Sequence, residues 1–276
     1  MDAVAGVVIP AHNEESVIAA GLARLLAGAA AGEFEVIVVA NACTDATAAV
    51  AARAGVRVLE TPVPGKAHAL RLGDAACGVF PRVYADADVG LDAGSVRALA
   101  AELARPGVLA AAPRPVWDLS GATWVARRVH RVHDALVGPH RALAGVGVYA
   151  LGAEGHARVF PLPDVLSDDG YVHASFASGE RAVVDGATSV VRPARTVRAH
   201  LRRRVRVRLG NRQLAELGRP VNAVPLRLGD LAALLRARRV SGPAAACYLS
   251  VLLADRILTG VRRGRPANWG TDTSSR

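Results

Sequence analysis

Val36-Ile37-Val38-Val39-Ala40-Asn41-Ala42-Cys43-Thr44-Asp45 opens with four β-branched residues and turns polar at once. An unbroken apolar run of this length fits a strand of a mostly parallel sheet covered on both faces, and the polar residues mark its carboxyl end. The same device recurs on either side. Upstream, Val4 to Ile9 runs into Pro10-Ala11-His12-Asn13-Glu14-Glu15. Downstream, Val56 to Leu59 leads past Glu60 to Pro64-Gly65-Lys66, and Arg82 to Ala85 leads to Asp86-Ala87-Asp88. Val108 to Ala112 reads as a further strand. The stretches between them, Val17 to Ala31, Ala46 to Ala54, Ala67 to Val79 and Ala93 to Ala104, are alanine-rich and read as helices. Strands alternating with helices predict βαβ units and an α/β fold. No fixed-period repeat is present.

Composition bounds the class. The chain has 276 residues, 51% hydrophobic and 21% charged, which excludes wholesale disorder. The formal net charge is +10, yet Lys66 is the single lysine. Residues 192–239 hold fourteen arginines against two acids, Glu216 and Asp230, so the positive charge belongs to one segment. Cys43, Cys77 and Cys247 are scattered and form neither a disulfide framework nor a zinc motif. The N-terminus has no basic region of the signal-peptide kind, and Ser241 to Ala254 is too short to span a bilayer. A cytoplasmic protein is expected.

Ligands of open α/β sheets bind beyond the carboxyl ends of the strands, where the polar clusters converge. Asp86 and Asp88, two residues apart in a turn, can address one ligand from two sides. Hard carboxylate oxygens suit Mg²⁺ or Mn²⁺ held together with substrate phosphates. The alternative is a solvated, helix-capping loop, with Asp92 just beyond. Gly65-Lys66 at a helix start offers backbone N–H groups and a point charge to an anion, or is an ordinary turn. Gly145, Gly147 and Gly152 lack the spacing of a dinucleotide fingerprint. Asp164, Asp168 and Asp169 lie close together in a basic half. Mutual repulsion would raise the pKa of one of them, as a general base requires; equally, Ser167 or Asp168 could cap a helix.

Taken together, Val7-Val8-Ile9-Pro10-Ala11-His12-Asn13-Glu14, Asn41 to Asp45, Gly65-Lys66-Ala67-His68-Ala69-Leu70 and Asp86-Ala87-Asp88 resemble family 2 glycosyltransferases of the GT-A fold. Gly145 to Leu151 resembles that family's acceptor-side glycine stretch, and Ser167-Asp168-Asp169 its catalytic acid motif. Arg202 to Gly210 resembles its arginine motif, and Trp269 to Arg276 a tail of some members. The resemblance implies a GT-A catalytic domain over 1–215, with a nucleotide-sugar half (1–113) and an acceptor half (114–215), followed by a basic helical extension (216–276). Pro10, Ala11, Glu14, Asn41, Asp45, Lys66 and Asp86 would bind the nucleotide sugar, with Arg203 and Arg204 on its diphosphate. Asp88, with His200 as an additional ligand, would hold Mn²⁺ or Mg²⁺. Asp169, beside Asp168, would be the general base of an inverting transfer to an acceptor hydroxyl, on a small molecule or a lipid-linked one.

Two departures qualify the match. Ala40-Asn41-Ala42 stands where the family often has acids, so uridine is not implied. The arginine motif lacks the QxxRW form of processive synthases, which implies a single transfer. Two other readings compete. A nucleotidyltransferase would make the nucleotide sugar. An arginine-rich nucleic-acid binder accounts for the charge, but no RNA- or DNA-binding motif is present and aromatics for stacking are few, so no nucleic acid is expected. Leu226, Leu228, Leu231, Leu234 and Leu235 among Arg227, Arg236, Arg238 and Arg239 read either as core packing or as a basic amphipathic face for peripheral membrane contact.

Overall fold

The computed structural model describes residues 3–219 and 227–261. The first half alternates as the sequence predicts: β1 (Ala5–Ala11), α1 (Ile18–Leu26), β2 (Phe34–Asn41), α2 (Thr47–Ala52), β3 (Arg57–Thr61), α3 (Lys66–Ala76) and β4 (Arg82–Ala85). The short β5 (Gly90–Leu91), α4 (Ala93–Leu103) and β6 (Ala110–Trp117) follow. The second half adds α5 (Trp124–Val137), β7 (Val148–Leu151), α6 (Ala153–Val159), α7 (Asp168–Ala174) and the long β8 (Arg181–Val191). Three helices close the described chain: α8 (Val197–Glu216), α9 (Leu228–Arg236) and α10 (Gly242–Val261).

The strands form one eight-stranded sheet in the order β3-β2-β1-β4-β7-β6-β8-β5. β1 lies parallel to both β2 and β4, β3 parallel to β2, and β6 parallel to β8. β7 runs antiparallel between β4 and β6, which places the Gly145–Gly147 stretch before it beside the β4 turn.

The quoted run of β2 explains itself here. Val36 and Val38 face α1 and α4 with Val7, Ile9, Leu22 and Leu99. Ile37 and Val39 face α3 with Val8, Leu70 and Tyr84. Both sets are buried; each such side chain contributes about 1.5–3 kcal/mol by leaving water. Gly73 sets how near α3 lies: a Cβ there would stand 2.4 Å from Cγ1 of Val8. A third apolar cluster joins Val129, Val132 and Leu136 of α5 to Leu231 of α9 and to Tyr248 and Val251 of α10. The apolar face of α9 therefore goes mainly to the core, with Leu231 buried and Leu234 and Leu235 packed on this cluster. Only Leu228 of the described leucines in that run is largely exposed, and Leu226 lies outside the described residues. The tail Trp269 to Arg276 also lies outside them. No helix among the described residues is long and apolar enough to cross a membrane.

Candidate active site

The loops after β1, β2 and β4, the start of α7 and one face of α8 enclose a cleft of about 360 Å³. Each wall is positioned by local chemistry. After β2, the Asn41 side chain donates to the Val63 carbonyl at 2.6 Å and accepts from the Gly65 N–H at 2.9 Å. Gly65 adopts φ +139°, a conformation that favours glycine, and starts α3. Lys66, the first residue of α3, thereby reaches into the cleft. Its Nζ lies 2.6 Å from Asp86 and 2.8 Å from Asp168. Burial alone would lower the lysine pKa, but Asp168, Asp86 and Asp169 hold it above its ordinary value.

The DxD turn is held from the loop before β7. The Asp86 N–H donates to the Gly147 carbonyl at 2.8 Å. Gly147, at φ +69°, cannot carry a side chain, because a Cβ would fall 2.5 Å from Cγ2 of Val89. Helix capping falls instead to Asp92, which accepts from the Ser95 N–H at 2.8 Å, so Asp86 and Asp88 both line the cleft. Burial and the charge of Asp86 push the Asp88 carboxyl up, opposed by Arg203 and Lys66.

At the start of α7 the paired acids separate. Asp168 is buried, and burial raises its carboxyl against the opposing charge of Lys66. Asp169 goes the other way. Burial would raise it, but Lys66 and hydrogen bonds from the Gly145 N–H (2.7 Å), the Ser167 hydroxyl (2.8 Å) and the Gly170 N–H (2.7 Å) hold it below the ordinary carboxylate range. Burial, more than repulsion by its neighbour, raises one pKa of the pair, and it is that of Asp168, while Asp169, the expected base, is lowered instead.

Most of the residues expected from the sequence meet here: Pro10, Ala11, Glu14 and Asn41 on one wall, Lys66, Asp86 and Asp88 on the floor, and Asp168, Asp169 and Arg203 opposite. Three do not line the cleft. Asp45 holds the loops instead, accepting from the Glu15 N–H at 3.2 Å and the Thr47 N–H at 3.0 Å, while the Thr47 hydroxyl accepts from the Glu14 N–H at 2.8 Å. Arg204 points away from the cleft on α8 and pairs with Asp255 of α10 at 2.7 Å. His200 stands edge-on to His130, ring centroids 5.1 Å apart, in the seam between α5 and α8. Burial and its His and Arg neighbours push its pKa down to about 3. The ring thus lies in this packing and not among the residues that line the cleft with Asp88, where a metal ligand was expected. Among the described residues no cluster of three or more His, Cys, Asp or Glu forms a metal cage.

The polar lining residues left unassigned by the sequence reading are His12, Arg192, Arg206 and Asn211. His12, whose Nδ1 lies 2.7 Å from the Asn41 carbonyl, was visible in the first loop. Arg206 and Asn211 follow Arg203 on the same face of α8; the i, i+3 step from Arg203 was the available signal.

The profile of the glycosyl transferase family 2 matches residues 6–144. Uncharacterized glycosyltransferases of Mycobacterium tuberculosis and Mycobacterium bovis are 36% identical over 169 residues, covering 56% of this chain and 74% of theirs. Among solved structures, the mannosyltransferase PcManGT from Pyrobaculum calidifontis, in complex with GDP-Man and Mn²⁺, superposes with a TM-score of 0.61 at 23% identity, over 95% of this chain and 82% of that one. The glucosyl-3-phosphoglycerate synthase of Mycobacterium tuberculosis, in complex with phosphoglyceric acid, gives 0.56 at 23% identity, over 80% and 82%. At these identities the structures speak for the fold, and the sequence match speaks for the family. The chain belongs to glycosyl transferase family 2 and is a glycosyltransferase of the GT-A fold.

Proposed function

We propose that the enzyme moves a sugar from a nucleoside-diphosphate donor to an acceptor hydroxyl in a single, inverting displacement that depends on Mn²⁺ or Mg²⁺. The observation that carries this reading is the meeting of Asp86 and Asp88 with Asp168 and Asp169 in one cleft, joined by Lys66. Asp88 would hold the cation, with Asp86 beside it. Hard carboxylate oxygens fit such an ion, and the lack of a protein cage among the described residues agrees with a cation completed by donor phosphates. The bound cation would stabilise negative charge on the diphosphate as the sugar bond breaks.

The side chains then divide the work. Pro10, Ala11 and Glu14 line the nucleoside end. Asn41, whose amide already bonds the Val63 carbonyl and the Gly65 N–H, shapes that end. Asp45 supports the loop from behind. Arg203 opposes charge on the leaving group. Asp169 is kept ionised and aimed by its three donors, so it can take the acceptor's proton as the oxygen attacks the anomeric carbon from the face opposite the diphosphate. Asp168 anchors Lys66. The mannosyltransferase and synthase named above carry Mn²⁺, GDP-Man or phosphoglyceric acid, which supports a nucleotide-sugar donor and a small hydroxyl acceptor here.

Location belongs to the same reading. Leu249, Leu253 and Ile257 form an outward stripe on α10, 41%, 61% and 59% exposed. Arg256, next to Ile257 on that helix, is exposed, as are Arg236 at the end of α9 and Arg238 and Arg239 between α9 and α10. An apolar stripe together with exposed arginines complements an anionic lipid surface.

Titration with UDP and GDP, with and without Mg²⁺, tests the core of the proposal. Wild type should bind a nucleoside diphosphate only with the cation. Asp88→Ala should lose at least tenfold in affinity, and Asp169→Asn should bind normally but fail to transfer. Cation-independent binding, or full turnover by Asp169→Asn, contradicts it.

A further inference from the structure

Helix α8 presents arginines at 198, 202, 203, 204, 206, 208 and 212, and the fold sorts them. Arg204 and Arg208 share Asp255, at 2.7 and 2.6 Å. Arg212 sits 3.7 Å from Glu216. Arg203 and Arg206 line the cleft, both half-buried, and among the described residues neither has an acid within ion-pair distance. A partly desolvated guanidinium without a counter-ion is a site prepared for an anion, and its planar fork suits an oxyanion.

The two cations do not sit at the same place. Arg203 lines the cleft one turn nearer the start of α8 than Arg206. Further along α8, Gly210 packs on Ser167 so closely that a Cβ would stand 3.1 Å from the Ser167 Cβ. Arg206 lies one helical turn from each, about 4.5 Å of rise beyond Arg203 and about 6 Å before Gly210. Its level on the helix is thus between Arg203 and the Ser167-Asp168-Asp169 corner. Asn211, just past Gly210, lines the same wall and adds an amide.

Resting on the proposed transfer, we infer that Arg206 holds a phosphate group carried by the acceptor, near the hydroxyl that Asp169 deprotonates. The donor diphosphate is met by Arg203, Lys66 and the cation, which leaves Arg206 for a second anion. The substrate class is then a phosphorylated alcohol, either a soluble phosphomonoester or a lipid phosphate headgroup.

The experiment uses the full chain saturated with Mg²⁺ and the nucleoside diphosphate it binds. Inorganic phosphate, glycerol 3-phosphate and phosphatidylcholine vesicles containing phosphatidic acid are then titrated as separate probes. Wild type should bind at least one probe as a second anion, and the better of the latter two identifies the source. Arg206→Ala should weaken that binding at least tenfold and change nucleotide affinity less than twofold. Retained nucleotide binding shows that the variant is folded. Arg206→Lys, which keeps charge but loses the fork, should fall in between. No second anion on the nucleotide-loaded enzyme, or equal loss of both ligands in Arg206→Ala, overturns the inference and leaves the donor reading standing. Absence of nucleotide binding by wild type refutes the donor reading itself, and this inference with it.

Discussion

Lys66 shows how a single residue ties the site together. Its ammonium spans Asp86 on the β4 turn and Asp168 at the start of α7, linking two walls of the cleft. Removing one partner of a buried pair leaves the other charge uncompensated and costs about 3–5 kcal/mol unless that group takes up a proton. Lys66→Met should therefore destabilise the enzyme by about 2–4 kcal/mol, because Asp168 can partly neutralise itself. Urea denaturation measures the loss. Adding Asp168→Asn should recover most of the stability without restoring nucleotide binding. Additive losses in the double variant would show that the two groups are not coupled. Lys66 was legible in the sequence as a lysine in a Gly-Lys turn. Its two carboxylate partners were not, since Asp168 lies about a hundred positions away and only the β4–β7 pairing brings its neighbourhood close. Asn41 was legible as a site residue by position, but not that its amide is already used by backbone groups.

At the scale of elements, the strands β1 to β4 could be read because apolar runs ending in polar turns are a local signal. β8 could not: Arg181–Val191 mixes Asp185, Gly186, Thr188 and Ser189 into its run, and its pairing with β6 is set by distant chain. The phase of α8 was equally hidden. Neighbouring arginines diverge by about 100° on a helix, so Arg203 meets the cleft while Arg204 meets Asp255, and His200 is turned against His130. That seam carries a pH signature. Burial first, then nearby histidine and arginine charge, hold His200 down to about 3; burial, then arginine and histidine charge, hold His133 to about 4. Both rings are neutral in the folded enzyme, whereas the unfolded chain gains protons below about pH 6.5. The unfolded state thus binds more protons between pH 6.5 and about 4, and stability falls as pH drops through that window. The limit is about 1.4 kcal/mol per pH unit for each ring. Denaturation midpoints at pH 7 and pH 5 should show the loss, and His200→Gln should reduce the slope. An unchanged slope in that variant would mean His200 is not the titrating group.

On the scale of the whole molecule, the net charge of +10 is segregated. Carboxylates gather at the strand ends, and arginines gather on the helices that follow. The cleft takes some of those arginines and Asp255 takes others, but Arg236, Arg238, Arg239 and Arg256 remain exposed. Helix α10 buries Ala244, Ala245, Tyr248 and Val251 on one side and exposes Leu249, Leu253 and Ile257 on the other. A helix apolar on both sides needs two covers, and the protein core supplies one. In the reading proposed above an anionic bilayer would supply the other: each arginine near its surface would add about 1 kcal/mol, a term that salt weakens. The enzyme should co-sediment with phosphatidylcholine vesicles containing phosphatidylglycerol and not with phosphatidylcholine alone. Binding should fall as salt rises, and Leu253→Glu should abolish it while leaving nucleotide affinity intact. If wild type stays in the supernatant and Leu253→Glu instead breaks a dimer in gel filtration, the second cover is another copy of the chain, and the exposed arginines owe their place to solvation.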